Sequence, residues 1–393
     1  MRIAHIITRM MIGGAQENTL YTCQDLIRLY GDDVLLITGP ETGPEGDLLS
    51  RNRGTQVPTR YLPELRRSVH PWRDFQAYRA IKQALRDFQP DVVHTHSAKG
   101  GILGRLAASA LRVSAIVHTV HGAPFYPYQP WPTRRFYQWC EWFAARRCQR
   151  LVSVANAMTD LLVAAGVAPR EKFTTVYSGM EVEPFLAANQ FRAAMRQRLG
   201  YSPEHVVIGK IARLFHLKGH NDLIRAAKDV VERCPHARFL LVGDGILRSA
   251  LEQQIAAAGL TSHFHFAGLV DPREIPKFLG AMDVLVHTSL REGLARALPQ
   301  ALIAGKPVVS YDIDGAREVC LPGETGFLIT PRRIDELVEA LAELADNAAL
   351  RERLGATGRV RFTDQFRHEY MTRQLRQIYE NLLATPTTDG PTS

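Results

Sequence analysis

The chain has 393 residues, of which 46% are apolar and 22% are charged, and its formal net charge is +8. This length favours two domains, and the composition is ordinary for a soluble globular protein. Because no run of 18 apolar residues occurs, the sequence predicts no transmembrane helix.

The net positive charge limits the expected binding partners, and the cysteines indicate the cellular compartment. A basic chain suits nucleic acid, an anionic nucleotide, a diphospho-lipid or an anionic membrane surface. No nucleic-acid-binding motif is present, so nucleic acid is not expected as a partner. Five scattered cysteines without metal-ligand or redox spacing indicate reduced thiols in a cytoplasmic protein.

Strands and helices alternate along the first half of the chain. Apolar runs predict strands over residues 3–7, 33–39, 57–62, 90–96, 115–122, 151–154 and 173–177. The stretches between them predict helices over residues 15–30, 73–88, 133–150 and 155–166, with a further helix after Ser97.

The second half shows the same alternation. Strands are predicted over residues 206–212, 238–242, 264–267, 284–287, 308–311 and 327–329. Helices are predicted over residues 222–233, 247–258, 271–279, 334–347, 349–362 and 368–383. Two such halves predict an α/β protein of two Rossmann-like domains, each a doubly wound parallel sheet, with strand ends facing across a cleft.

These patterns divide the chain into five segments. We expect a first domain over residues 1–185, a linker with a short basic helix over 186–204 and a second domain over 205–365. We expect the C-terminal helix over 366–383 to return to the first domain, and the Pro/Thr-rich tail 384–393 to be disordered.

An acidic loop in the second half follows the buried strand 284–287 and precedes a predicted helix. Glu292 falls at the carboxyl end of this strand, where open α/β sheets bind their ligands. Gln300 lies eight residues further on, about two turns into the helix. A ligand lying across the start of the helix would therefore reach both side chains.

Two loops that contain glycine offer anion sites at strand ends. Arg213 ends one strand, and Lys218 stands beside Gly219 at a helix start, so cations and backbone N–H groups there suit a diphosphate. The alternative is a pair of solvated surface cations. Gly13 and Gly14 follow the first strand and let a ligand approach the backbone. They also fit a plain strand–helix turn, and they do not form a G-x-G-x-x-G dinucleotide motif.

Four histidines stand at two neighbouring strand ends. His94 and His118 lie at alternate strand positions whose side chains are expected to face the core. No cysteine or carboxylate lies near the four histidines at the spacing of metal ligands. His121, which follows its strand, is the better candidate to face a ligand. A neutral imidazole there would hydrogen-bond a sugar hydroxyl.

The segment 125–150 is rich in aromatic and basic residues. Its predicted helix carries Phe136, Trp139, Cys140 and Phe143 on one stripe. Two interpretations stay open: a core helix with a solvated basic edge, or an interfacial helix that contacts an anionic membrane.

Several motifs occur in a fixed order along the second half. They are residues 209–219, 243–245, 292–300, 304–309 and 323–328. In this order they resemble glycosyltransferase family 4, and the resemblance covers nearly the whole chain. It implies the GT-B architecture and a retaining enzyme that uses a nucleotide-diphosphate sugar as donor, with no tightly bound cofactor and no metal.

The resemblance also implies roles for single residues. Arg213 and Lys218 would bind the donor diphosphate, Glu292 would hold hydroxyls of the donor sugar, and His121 would contact that sugar near the reacting carbon. The implied donor-binding residues are Gly13, Gly14, Gly209, Gly293, Leu294, Ala295, Arg296 and Gln300.

The sequence departs from the family pattern in three places. Gln300 replaces the second glutamate of an E-x7-E pair, residues 294–296 replace Phe-Gly-Leu, and Gln16 replaces a glutamate. A glutamine still hydrogen-bonds a ribose hydroxyl, but the bond is weaker by ~1–2 kcal/mol without the charge.

The expected function is transfer of a sugar to a glycan or lipid-linked acceptor in the synthesis of cell-envelope polysaccharide, lipopolysaccharide or glycolipid. The enzyme would be cytoplasmic and would bind peripherally to the inner face of the plasma membrane. Two alternatives share the architecture, a sugar-nucleotide epimerase and a non-catalytic nucleotide-sugar-binding module. The sequence leaves open the base, sugar, acceptor, linkage and oligomeric state.

Overall fold

The computed structural model describes residues 1–40, 48–51, 56–126 and 129–384. They form two compact units: unit 1 consists of Met1–Met180 with the chain from Gln365 onward, and unit 2 of Glu181–Asp364. The predicted disordered tail lies outside the described residues, except for Ala384, which ends the last helix. Within these ranges, no helix combines the length and the apolar character needed to cross a membrane.

Unit 1 is built on a parallel sheet of seven described strands. They are β1 (Arg2–Arg9), β2 (Asp33–Gly39), β3 (Thr59–Tyr61), β4 (Val92–His96), β5 (Ala115–Val120), β6 (Arg150–Ser153) and β7 (Phe173–Thr175). Their spatial order is β3-β2-β1-β4-β5-β6-β7, so the winding reverses between β1 and β4. All residues of β4 and β5 are buried, as expected for central strands of a parallel sheet with covered faces.

Helices alternate with these strands along the chain. They are α1 (Gly14–Tyr30), α2 (Leu48–Arg51), α3 (Pro71–Phe88), α4 (Ala98–Ala110), α5 (Trp131–Ala145) and α6 (Asn156–Ala164). Leu26 of α1 joins Ile3, Val92 and Val117 of the strands in one apolar core. This burial is the main driving force for folding of the unit.

Unit 2 repeats the plan with six parallel strands. They are β8 (Val206–Ile211), β9 (Ala237–Val242), β10 (Phe264–Gly268), β11 (Val284–His287), β12 (Val308–Tyr311) and β13 (Gly326–Ile329). Their order is β10-β9-β8-β11-β12-β13, so the winding reverses between β8 and β11. The helices are α7 (Glu183–Leu186), α8 (Arg192–Arg198), α9 (His220–Arg233), α10 (Arg248–Ala257), α11 (Ile275–Ala281), α12 (Ala297–Ile303), α13 (Ile334–Asp346) and α14 (Ala348–Phe362).

Two doubly wound parallel sheets confirm the predicted fold class, but the predicted linker over residues 186–204 needs correction. This stretch belongs to unit 2. Arg192 and Arg196 both pair with Asp283, whose carboxylate also accepts the Val207 N–H at 2.7 Å. The basic helix resembled a solvated linker because its acidic partner lies far away in the sequence.

The last helix, α15 (His368–Ala384), packs in unit 1, as the sequence predicted. Its residues Met371, Leu375 and Tyr379 join the core of that unit. Polar contacts fix its position: His368 pairs with buried Asp25 at 2.7 Å. The chain therefore finishes unit 1 only after unit 2 is complete.

Candidate functional site

Three strand-end loops of unit 2 meet at the carboxyl edge of its sheet. β8 and β11 are paired on either side of the point where the winding reverses, and β12 pairs with β11. Because the strands are parallel, the loops that follow them emerge at the same edge. These loops carry Lys218, Glu292 and Asp314. Open α/β sheets bind ligands at such a reversal point.

Lys218 and Glu292 are paired at this edge. The Lys218 ammonium donates to Oε1 of Glu292, and the two side chains are 22% and 23% exposed. The Ser289 hydroxyl donates to the same oxygen at 2.9 Å. Burial acts to raise the pKa of Glu292, but His287 and Lys218 outweigh it and lower the pKa to about 2. Glu292 is therefore a carboxylate near pH 7, and a ligand can reach it.

Hydrogen bonds between two loops fix the backbone around this pair. The Leu290 N–H donates to the Leu217 carbonyl at 2.8 Å, and the Thr288 hydroxyl donates to the Gly219 carbonyl at 2.6 Å. Gly219 has a φ of +67°, and a Cβ there would overlap the Thr288 carbonyl oxygen. Glycine is thus required at position 219 by its left-handed backbone and by the neighbouring loop.

Asp314 supports Glu292 from the loop after β12. Its Oδ2 accepts the Glu292 backbone N–H at 2.6 Å. Asp314 has a φ of 45°, a conformation that residues other than glycine rarely adopt and that occurs often at functional sites. The sequence showed an acidic loop here but not this contact, which depends on β12 lying beside β11.

Two ionisable side chains lie buried near the pair. Nε2 of His287 is 3.5 Å from Oε1 of Glu292, and burial lowers the pKa of this histidine, so it is neutral near pH 7. Lys210 of β8 is fully buried and donates to the Thr288 hydroxyl at 2.8 Å. Burial lowers the pKa of Lys210 to about 7. Sequence reasoning missed both residues; the available signal was a lysine and a histidine within apolar strands.

We expect Lys210→Met to raise the melting temperature, and to raise it more at pH 6 than at pH 9. The pKa of Lys210 falls from its ordinary 10.5 to about 7 in the folded protein. Between these values the unfolded chain binds more protons, so the lysine destabilises the fold fully below pH 7 and progressively less above it. Methionine has a similar length and no charge.

Thermal unfolding of both proteins at the two pH values checks this expectation. Lys228→Met is the matched control, since Lys228 is exposed on α9 and its replacement should give no pH-dependent difference. A stabilisation by Lys210→Met that is equal at pH 6 and pH 9 would contradict the buried ammonium.

Two other predicted site residues, Arg213 and Gly209, do not take part in the Lys218–Glu292 ion pair. The Arg213 side chain is exposed at the start of the loop after β8, with its guanidinium 5.2 Å from the centre of the Phe215 ring. It pairs with no carboxylate in the part of the chain that the structure describes. The sequence proposed Gly209 as a donor contact. It is buried inside β8, where its missing side chain makes room for Met282, so it is a packing position.

The helix after Glu292 begins later than predicted. α12 starts at Ala297, so Gln300 lies in its first turn and not two turns in. The Gly293 carbonyl accepts the Gly315 N–H at 2.9 Å, which holds this stretch against the next loop. Ala295 is buried, whereas the half-buried residues of the stretch are Gly293, Leu294, Arg296 and Gln300.

In unit 1 the predicted residues lie after β1 and β5. The Gly13 carbonyl accepts the Glu17 N–H at 2.9 Å, and Gly14 is the first residue of α1. His121 follows β5 directly, is half-buried, and has its Nε2 3.1 Å from Nδ1 of His96. Both positions are at the carboxyl edge of the sheet of unit 1.

Helix α5 exposes two residues of the stripe that the sequence predicted, Phe136 and Trp139, which are 59% and 54% exposed. Cys140 and Phe143 of that stripe are half-buried, and Trp131 at the start of the helix is 66% exposed. The buried face is instead formed by Ala144, Ala145 and Glu141, which pairs with fully buried Arg105 of α4 at 3.2 Å. The stripe is therefore not a core face. Residues 127 and 128 of the segment 125–150 lie outside the described residues.

Two family models together match most of the chain. The model described as Glycosyltransferase Family 4 matches residues 12–184, and the one described as Glycosyl transferases group 1 matches residues 191–361. The boundary between the two matches lies close to the boundary between the two units.

Known relatives resemble the chain over most of its length. A UDP-Gal:alpha-D-GlcNAc-diphosphoundecaprenol alpha-1,3-galactosyltransferase from Escherichia coli is 30% identical over 353 residues, which covers 89% of each chain. A putative glycosyltransferase, EpsD, from Bacillus subtilis (strain 168) is 26% identical and covers 79% of this chain and 83% of its own.

Solved structures share the fold. HepE of Anabaena, crystallised in complex with UDP and glucose, has a TM-score of 0.82 at 21% identity. The match covers 97% of this chain and 100% of the HepE chain. A glycosyltransferase from Rickettsia africae has a TM-score of 0.82 at 19% identity, and the match covers 98% of this chain and 99% of that chain.

Proposed function

Because the chain belongs to glycosyltransferase family 4, we propose that this glycosyltransferase moves a sugar, with retention of configuration, from a nucleoside-diphosphate donor to a lipid-linked saccharide. The observation that carries the proposal is the Lys218–Glu292 pair at the reversal point of unit 2. Its ammonium suits a diphosphate, and its carboxylate suits sugar hydroxyls.

In the proposed reaction, Glu292 accepts hydrogen bonds from hydroxyls of the donor sugar and fixes its orientation. Lys218 and Arg213 contact the diphosphate. As the bond between the anomeric carbon and the phosphate oxygen breaks, these cations stabilise the growing negative charge on that oxygen. The acceptor oxygen bonds to the anomeric carbon on the same face, and its proton passes to the leaving phosphate oxygen.

Further residues complete the proposed donor contacts. Gln300 would hydrogen-bond the ribose, and the backbone of residues 293–296 would contact the donor. Gly13 and Gly14 would admit the diphosphate close to the backbone, and His121 would hydrogen-bond the sugar. Gly209 is left out of this set because its position is filled by Met282.

The test uses the purified full-length chain with UDP-, GDP- and ADP-sugars. The acceptor is an N-acetylhexosamine linked to a polyprenyl diphosphate, chosen because the E. coli relative is named for such a substrate. We expect free nucleoside diphosphate only when the acceptor is present, and a product with the donor's anomeric configuration by NMR. Nucleotide release or epimerised donor without acceptor would favour an epimerase, and binding without turnover would favour a binding module.

A lipid-linked acceptor requires contact with a membrane, and we propose that α5 and the arginines that follow it make this contact on the cytoplasmic face of the plasma membrane. Its exposed aromatic residues suit the headgroup region. Glu141, the one acid in residues 131–150, is buried against Arg105, so the exposed charge is positive. The basic residues of this range are Arg134, Arg135, Arg146, Arg147 and Arg150.

Replacing Trp131, Phe136 and Trp139 together with serine is expected to lower the affinity for vesicles with anionic lipid by about tenfold or more, because their exposed apolar area is lost. Vesicle flotation measures the bound fraction. The matched control replaces Trp72 and Phe75, which are exposed on α3, and should bind as the unchanged protein does. Equal losses in both variants would contradict a specific role for α5.

A further inference from the structure

Lys210 links the sheet of unit 2 to the turn that follows Lys218. Its amino group donates to the Thr288 hydroxyl at 2.8 Å, and that hydroxyl donates to the Gly219 carbonyl at 2.6 Å. Because β8 pairs with β11, Thr288, which directly follows β11, lies within reach of a lysine in β8. One hydroxyl therefore connects Lys210 to the backbone beside Lys218.

The turn at Gly219 starts helix α9. The Gly219 carbonyl also accepts the Leu223 N–H at 3.3 Å at the start of this helix. The first N–H groups of a helix have no acceptor within the helix, and they favour an anion. α9 begins at the same edge of the sheet as the Lys218–Glu292 pair. A bond that fixes the Gly219 carbonyl therefore also fixes the direction of these N–H groups.

The amino group of Lys210 has no counter-ion in direct contact. The residue is fully buried, and none of the described carboxylates pairs with it. A buried charge without a partner destabilises a fold. Burial lowers the pKa of Lys210 to about 7, so the group is only partly charged near neutral pH. An anion bound at this edge of the sheet would supply the missing counter-charge, and the buried surroundings would strengthen the attraction.

Charged and titratable groups face Lys210 from the loops after β8 and β11, from β11 itself and from α9. They are Lys218, Glu292, His287, His220 and Asp222. Burial lowers the pKa of both histidines, that of His220 to about 4, so neither is charged near pH 7. Both carboxylates already have partners, since Glu292 pairs with Lys218 and Asp222 accepts the Tyr311 hydroxyl at 2.9 Å.

We propose that Lys210 is a positioning residue of the donor site, which holds the turn at Gly219 through Thr288 and whose buried charge gains the donor diphosphate as its counter-ion. The diphosphate as ligand rests on the proposed function, whereas the bonds from Lys210 to Thr288 and Gly219 do not. Lys210 does not touch the donor in this proposal; it acts through the turn and through its charge.

Donor binding should then take up a proton. A nucleoside-diphosphate sugar has no phosphate group that titrates near neutral pH, so its diphosphate raises the pKa of Lys210 without changing its own charge. Below pH 7 Lys210 is charged with and without the donor, and binding is tightest. Above pH 7 the proton has to be taken from water, so the affinity decreases until the pH exceeds the raised pKa. We expect binding about 5- to 10-fold tighter at pH 6 than at pH 8.

The experiment titrates the purified full chain with UDP-, GDP- and ADP-glucose by calorimetry, at pH 6 and pH 8, in buffers of different ionisation enthalpy. We expect the unchanged protein to take up about half a proton or more per donor at pH 8. Lys210→Met should lose this uptake and bind the donor about tenfold more weakly at pH 6, with a smaller loss at pH 8. Lys228→Met, exposed on α9, should match the unchanged protein.

Variants of Thr288 test the hydrogen-bonded link. Thr288→Ser keeps the hydroxyl and should keep the affinity. Thr288→Ala should weaken donor binding at both pH values and retain the proton uptake, because Lys210 stays in place. Equal losses of affinity in these two variants would overturn the proposal.

The outcomes also separate this proposal from the proposed function. Unchanged proton uptake in Lys210→Met, or a loss of affinity that is equal at pH 6 and pH 8, would overturn the role of Lys210 and leave the proposed function standing. Proton-linked donor binding without sugar transfer to the acceptor would refute the proposed function and leave the role of Lys210 standing. Absence of binding by every donor would refute both.

Discussion

Glu292→Gln is expected to lower kcat about 100- to 1000-fold while nucleoside diphosphate binding stays nearly unchanged. Glutamine has the shape of glutamate but loses the charge that the low pKa of Glu292 maintains. It also loses the ion pair with Lys218 that orients the ammonium. Steady-state kinetics with saturating acceptor measure kcat, and calorimetric titration measures the nucleotide affinity.

Glu324→Gln is the matched control for this substitution. Glu324 pairs with Arg361 at the surface, where both side chains are more than half exposed. Exposed pairs contribute about 0–1 kcal/mol, so this variant should keep its kcat and nearly all of its stability. If Glu292→Gln retained kcat within about threefold, the assignment of the donor sugar to this carboxylate would fail.

The largest expected effect on stability comes from breaking the buried ion pair of unit 1. Glu141→Ala is expected to reduce the free energy of unfolding by about 3–5 kcal/mol, because it leaves the Arg105 guanidinium buried without its counter-charge. Arg105 is fully buried, and its Nε donates to the Gly101 carbonyl at 2.9 Å. Denaturant-induced unfolding, followed by circular dichroism, measures the change.

Two controls identify the cause of this loss. Replacing Arg105 and Glu141 together with leucine removes both charges and should recover much of the stability. Asp160→Ala breaks the exposed pair with Arg170 and should cost less than about 1 kcal/mol. A double variant as unstable as Glu141→Ala would show that packing, and not the unpaired charge, is responsible.

The sequence was sufficient to predict the fold, and the fold accounts for the meeting of Lys218 with Glu292. Alternation of apolar runs and amphipathic stretches specifies a parallel sheet, and the reversal of its winding brings the loops after β8 and β11 together. Both residues follow their strands within a few positions. Their proximity therefore needs only the strand order, not the details of packing.

What the sequence did not predict depends on packing between distant segments. The pairing of Glu141 with Arg105 turns the small face of α5 inward and its aromatic stripe outward, and amphipathicity alone points the other way. His5 lies in an apolar strand, and its bond to His96 depends on β1 and β4 being neighbours. The basic helix near residue 195 is fixed by Asp283.

The division of unit 1 between the two ends of the chain has a consequence during synthesis on the ribosome. Residues 181–364 are continuous in the sequence, so unit 2 can fold as they leave the ribosome. Unit 1 is incomplete until its last helix, α15, has been synthesised. Until Tyr379 arrives, His94 and the apolar residues beside it stay open to water or to a chaperone. A nascent chain stalled before residue 365 would therefore carry one finished unit and one that remains prone to aggregation.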